Sequence, residues 1–168
     1  MRHSLELMPD EPGDLSLRRD WELLHQAGLR SQSDHRGTTN APHVTAISLP
    51  VIDEGLRGSA AATIGPLLPV RCTLTGLVVL GDRRLVLARL VEVPDALVTA
   101  VLDVKAATHG HAFPGWLPHV TIAHGLDRAE LARAMALLST SPTSLELVSL
   151  RHWDPDRGSA DPVTAGPV

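Results

Sequence analysis

Two stretches of the chain read almost alike: PHVTAIS at Pro42–Ser48 and PHVTIAH at Pro118–His124. In a chain with this content of proline, histidine and threonine, a Pro-His-x-Thr tetrad is expected by chance about 0.05 times, and a repeated spelling of this kind marks a duplicated unit. Each copy continues into β-branched and apolar residues, the pattern of a strand. Residues i and i+2 of a strand share a face. His43 and Thr45 therefore project together, and so do His119 and Thr121. Val44, Ala46, Val120 and Ile122 point the other way, and strict alternation puts His124 with them.

The flanking sequence supplies strands and helices in both halves. RHSLELMP (2–9) predicts an opening strand. DLSLRRDWELLHQAG (14–28) predicts a helix, with Leu17, Trp21, Leu24 and Ala27 at helical spacing and Gly28 as its stop. Residues 30–41 form a polar loop before the first motif strand, and DEGLRGSAAATIGPL (53–67) is a helix weakened by its glycines. VRCTLTGLVVL and RLVLARLVEV, joined by GDR, predict a hairpin. DALVTAVLDVKAAT (95–108) is a helix with Asp95 at its start and Gly110 past its end. The loop HAFPGWLP leads into the second motif strand. DRAELARAMALLST (127–140) follows as a helix with Leu131, Met135 and Leu138 on one face, and SLELVSLRHW (144–153) is the last strand. The expectation is an α+β domain over residues 1–153, a pseudo-two-fold pair of lobes at about 1–69 and 70–153 with strand exchange between them allowed. Residues 154–168, polar and rich in proline and glycine, read as a flexible tail.

Composition narrows the function classes. The 168 residues suit one domain with a real core. No apolar run approaches the ~20 residues of a membrane span, and the N-terminus lacks the apolar core of a secretory signal, so a cytoplasmic monomer is the expectation. The single cysteine, Cys72, excludes an intrachain disulfide and a cysteine metal cluster; it reads as an inert strand residue. A net charge of -4 argues against an extended groove along a nucleic-acid backbone, which draws affinity from many cations. A small anionic substrate or one RNA end needs only a few local donors. Aromatics are limited to Phe113, Trp21, Trp116 and Trp153.

If the two motif strands face one another, two imidazoles and two hydroxyls converge. Making or breaking a phosphodiester needs a base for the attacking oxygen and an acid for the leaving one. Histidine titrates near neutrality and can fill both roles. Hydroxyls can stabilise the charge that builds on the non-bridging oxygens. No metal or other cofactor is required. HGH at His109–His111 is the one metal-like spelling, without a second cluster at ligand spacing. Arg18 and Arg19 read as a solvated helix face, Arg83 and Arg84 as turn residues, Trp21 as core, and Asp34–His35 as a weak candidate pair.

The two His-x-Thr strands in duplicated halves resemble the 2H phosphoesterase superfamily, in particular its 2′-5′ RNA ligase and RNA 2′,3′-cyclic phosphodiesterase branch. The resemblance runs from about Arg2 to Trp153 and rests on RHSLELMP, PHVTAISLP, TLTGLVVLGDRRLVLARLVEV and LPHVTIAHG. It implies two lobes of mainly antiparallel strands with outer helices around a central cleft. It makes His43 and His119 the acid/base pair and Thr45 and Thr121 the phosphate donors, on a 2′,3′-cyclic phosphate or 2′-5′ linkage at an RNA end or small nucleotide. Relatives carry a basic residue soon after the second motif, where this chain has His124, and an aromatic that stacks on a base, for which Trp116 or Phe113 is available. Two other readings stand beside it: a non-catalytic RNA-end or nucleotide binding module, and an esterase acting on ADP-ribose cyclic phosphate.

Overall fold

The computed structural model describes residues 2–35 and 37–164. Seven strands form one antiparallel sheet: β1 (His3–Pro9), β2 (Val44–Leu49), β3 (Val70–Leu80), β4 (Leu85–Glu92), β5 (His119–Leu126), β6 (Thr143–Asp154) and β7 (Ser159–Pro162). Four helices accompany it: α1 (Glu11–Gln26), α2 (Glu54–Ile64), α3 (Asp95–Ala106) and α4 (Arg128–Leu137). Local chemistry sets their ends. Asp10 caps α1 by accepting from the Gly13 amide, with Pro12 in the first turn, so this helix starts a turn earlier than its apolar periodicity indicates. Asp53 caps α2 from the Leu56 amide, and Asp127 with Glu130 forms a capping box on α4. Pro94 precedes α3, leaving Asp95 in the first turn, where its charge complements the helix dipole. Between β3 and β4 the turn needs Gly81, whose φ is +88° and whose added Cβ would lie 2.8 Å from the Arg84 carbonyl oxygen.

The sheet order is β2-β1-β6-β3-β4-β5, with β7 also on β6. Reversing that order exchanges β2 with β5, β1 with β4 and β6 with β3. The chain is thus two strand–helix–strand–helix–strand repeats, β1 to β3 and β4 to β6, with the last strand of each placed beside the first strand of the other. Residue 70 separates β3, β4 and β5 from β1 and β2, but β6, from the far end of the chain, completes the first lobe. Leu5, Leu7, Leu17, Leu24, Leu87, Ile122 and Leu147 are fully buried in one continuous apolar cluster.

Two expectations are corrected. The segment after Asp154 is not a loose tail as far as it is described: β6 and β7 form a hairpin pairing Arg151 with Pro162 and Asp154 with Ser159. The Val163 amide donates to Leu150 O at 2.8 Å, and Thr164 Oγ1 accepts from the Leu150 amide at 2.9 Å. Residues 165–168 of that segment lie outside the described residues. On α4, Met135 is exposed and Ala134 is buried in its place, because the helix ends at Leu137 and Leu138 enters the core from the cap position. Among the described residues no helix is long and apolar enough to cross a membrane.

Candidate active site

The two motif strands, β2 and β5, are the two edge strands of the sheet. They nevertheless come within 8 Å of each other, Cα to Cα, so the sheet rolls until its edges meet. An edge strand carries unpaired backbone groups that need cover. Here each is covered by a tryptophan. Trp21 of α1 donates its indole N–H to Thr121 O on β5 at 3.1 Å, and Trp116, from the loop before β5, donates to Thr45 O on β2 at 2.8 Å. Trp21 is core, as its helix face indicates. Trp116, the sequence's choice for substrate contact, packs against the core and spends its polar atom on the first motif strand. The aromatic of that loop which faces solvent is Phe113, at 77% exposure.

Both histidines are held in the same way. His43 Nδ1 lies 2.8 Å from Ala41 O, and His119 Nδ1 lies 2.7 Å from Leu117 O, in each case the carbonyl two residues upstream. A carbonyl can only accept, so Nδ1 carries the proton and donates it, and each Nε2 is left to take up or give a proton. Thr45 and Thr121 are half-buried, and among the described residues neither hydroxyl is bonded to another protein group.

Strand alternation fails after the threonine of each motif, and on β5 the register shifts again between Ala123 and Leu126; the failure adds a residue to the site. Glu6 faces Thr45 while Leu5 faces Ile47, so β2 carries an extra residue at Ala46–Ile47. Ala88 faces Thr121 while Leu87 faces Ala123, so β5 carries the same extra residue at Ile122–Ala123. Both members of each pair are buried, and the next residue returns to the face of the threonine. His124 is therefore on the cleft face, not turned away with Val120 and Ile122 as alternation requires. It lines a cavity of about 90 Å³ with His43, Thr121, Trp21 and Asn40. That cavity adjoins one of about 250 Å³ holding His35 and Arg30, and one of about 420 Å³ holding Arg18 and His35. His124 keeps one side open to solvent, but desolvation of its ring against the cleft wall, and then the nearby charges of His35, His119 and His43, hold its imidazole below the ordinary pKa. His35, a weak candidate from sequence, thus lies beside the cleft. Arg18 is tied to Asp14 at 2.6 Å and lies 5.5 Å above the Trp21 ring.

A second group escaped the sequence reading altogether. Glu6 is only 3% exposed and sits next to Thr45 across the β1–β2 ladder and next to Arg151 across β1–β6. Arg151 donates to its Oε2 from Nε at 2.8 Å and Nη2 at 2.7 Å, and Ser4 Oγ donates to Oε1 at 2.7 Å. His43 Nε2 lies 3.5 Å from the same Oε1. In the other lobe, the ladder position beside Thr121 is Ala88 and the next is Val78. The backbone is two-fold, but its charge is not.

Other titratable groups have local duties. Burial pushes the Cys72 thiol up to about 11, consistent with an inert residue. His111 Nε2 is engaged by Thr108 Oγ1 at 2.6 Å and Lys105 O at 3.1 Å, so the HGH spelling serves its own loop. Among the described residues the one group of three possible metal ligands is His3, Asp154 and Asp156 at the β1–β6–β7 end. There His3 Nδ1 meets His152 Nε2 at 3.2 Å and His3 Nε2 meets Asp156 at 3.2 Å. With ring centroids 5.4 Å apart, those facing nitrogens lie nearly on the line between the rings, the geometry of a hydrogen bond.

A rolled antiparallel sheet that brings two His-x-Thr edge strands around one cleft defines a 2H phosphoesterase fold, and known structures share it. The chain superposes on TT0787 of Thermus thermophilus with a TM-score of 0.56 at 19% identity, covering 100% of this chain and 93% of that one. A structure described as a phosphoesterase gives 0.53 at 15% identity, over 96% and 92% of the two chains. Escherichia coli LigT without ligand gives 0.51 at 14%, over 95% and 91%. No curated protein sequence matches the chain. The family model of the 2′-5′ RNA ligase superfamily matches residues 16–158. This protein belongs to the 2′-5′ RNA ligase superfamily, and that membership supports an activity of the phosphoesterase, 2′-5′ RNA ligase type.

Proposed function

We propose that the protein is a metal-independent phosphoesterase that hydrolyses, or reversibly forms, a 2′,3′-cyclic phosphate or 2′-5′ phosphodiester at an RNA end or on a small nucleotide. One observation supports the reading: two imidazoles on edge strands that meet, each with Nδ1 tied to the carbonyl two residues upstream so that Nε2 stays available, and each with a threonine two residues on. His43 and His119 exchange protons with the attacking and leaving oxygens, and Thr45 and Thr121 donate to the non-bridging oxygens. His124 and His35 add charge on the cleft wall when protonated. The net charge of -4 and the small cavities favour a short substrate over a long duplex.

The test is hydrolysis of adenosine 2′,3′-cyclic phosphate by the wild type, His43→Ala and His119→Ala in the presence of EDTA. Each substitution is expected to lower turnover roughly 10²–10⁴-fold. Unchanged rates in both variants, or activity lost to chelator and restored by zinc, would overturn the reading. Tight binding of a nucleoside 2′-phosphate without turnover of any cyclic or 2′-5′ substrate would select a binding module. Preference for ADP-ribose cyclic phosphate over a short RNA with a cyclic end would select the non-RNA esterase.

A further inference from the structure

We propose that Glu6 makes this two-fold site directional: its carboxylate favours a proton on Nε2 of His43, so that His43 is the acid and His119 the base when a cyclic phosphate is hydrolysed. The inference rests on the proposed phosphoesterase reading and assigns the roles that the symmetric motifs leave equivalent. Because Nδ1 of each ring already donates to a carbonyl, Nε2 of a neutral ring presents a lone pair. For His43 that atom lies 3.5 Å from Glu6 Oε1, so two electron-rich atoms are neighbours. Placing a proton on Nε2 turns this repulsion into an ion pair. His119 has no such neighbour among the described residues, since the ladder position equivalent to Glu6 is the methyl group of Ala88.

The other charges around His43 do not remove this difference. Arg151 of β6 is committed to Oε2 and to Thr39 O, at 3.0 Å, and leaves Oε1 to Ser4 and His43. His35 of the 31–40 loop, His43 and His119 all lie close enough to His124 of β5 to act on its charge, and none of these imidazoles is a fixed cation. A buried carboxylate is costly unless paired, and Arg151 holds Glu6 in place at that cost. Glu6 acts only through His43, not on the substrate, and is a positioning residue.

In the hydrolytic step, water attacks phosphorus, and its proton passes to His119 Nε2 as the P–O(water) bond forms. The opposite P–O(ribose) bond breaks, and the ribose oxygen takes the proton from His43 Nε2. Solvent exchange then restores both rings.

The test separates acid from base by leaving group. Thymidine 3′-(p-nitrophenyl phosphate) has no vicinal hydroxyl, so water must attack, and its p-nitrophenolate departs without a proton. Glu6→Gln keeps the size of the side chain but removes its charge and one of its two accepting oxygens. It is expected to lower hydrolysis of adenosine 2′,3′-cyclic phosphate about tenfold and to change the nitrophenyl reaction less than about twofold. His43→Ala should show the same split with a larger loss, and His119→Ala should lose both reactions. Should Glu6→Gln fold poorly with Arg151 left unpaired, Glu6→Gln/Arg151→Met removes the orphaned charge and is expected to give the same split. Equal losses on both substrates, or full cyclic-phosphate activity in a Glu6 variant, would overturn the role of Glu6 and leave the phosphoesterase reading intact. A wild type that turns over neither substrate would remove the reading, and the role with it.

Discussion

Replacing Trp116 by phenylalanine removes the indole N–H that Thr45 O accepts at 2.8 Å. A hydrogen bond of this kind contributes about 1 kcal/mol net, and the smaller ring forfeits roughly another 1 kcal/mol of packing. The total of about 2 kcal/mol corresponds to a melting temperature lower by roughly 4–8 °C in a chain of this length. Because Trp116 is half-buried, water can reach the freed carbonyl, and the full cost of a buried unpaired group does not apply. The effect on turnover should be larger than the effect on stability. The bond fixes the backbone of the first motif, and small displacements of positioned groups cost orders of magnitude in rate; a loss of about tenfold is expected in cyclic-phosphate hydrolysis. Benzothienylalanine at position 116, an indole isostere with sulfur for N–H, isolates the hydrogen bond. Thermal melts and steady-state kinetics on the two variants are the assay. If the isostere melts within about 1 °C of the wild type and turns over within about twofold, the brace does not position the motif.

Three further outcomes are expected from the same structure. Burial, and then Arg57 and His3, hold His152 below its ordinary pKa. The unfolded chain therefore binds a proton that the folded one refuses; the stabilisation is full above about pH 6.5 and is lost as pH falls through the folded value. Melting temperature should fall from pH 7 to 5, and His152→Gln should flatten that slope; equal slopes would contradict it. Ending the chain after Asp154 deletes β7 and the bonds of Val163 and Thr164 to Leu150, at about 2 kcal/mol or roughly 4–8 °C, whereas removal of a loose tail would change nothing. Binding of sulfate, whose own charge is constant in this range, measured by calorimetry, should strengthen as pH falls below the ordinary imidazole range of about 6.5 and His124 takes a proton beside the anion; the same gain in His124→Ala would place the effect elsewhere.

The motif strands and their partner elements were legible because each spelling is local. A histidine and a threonine two apart need only an extended backbone to share a face. Asp53 and Asp127 sit where helix starts require a side-chain acceptor. Three features were concealed because they depend on neighbours that the one-dimensional pattern does not name. The bulges at Ala46–Ile47 and Ile122–Ala123 leave only two adjacent apolar residues as their trace, and without them His124 is assigned to the wrong face. Glu6 looks like the polar member of an ordinary alternating strand until β6 brings Arg151 beside it from 145 residues away. Residues 159–162 carry turn-rich composition on both sides, so their strand exists only because β6 extends far enough to pair with them.

The exchange of β3 and β6 between repeats bears on how such a chain could arise. A half-length ancestor ending after β3 would have no partner in its own chain for that strand and would find one only in a second copy, forming a homodimer with two identical half-sites facing each other. In such an assembly every substitution appears twice, so a carboxylate beside one histidine means a carboxylate beside both. Joining the copies into one polypeptide releases that constraint, and the pair Glu6 and Ala88 shows what the release permits: two once-equivalent histidines in different company.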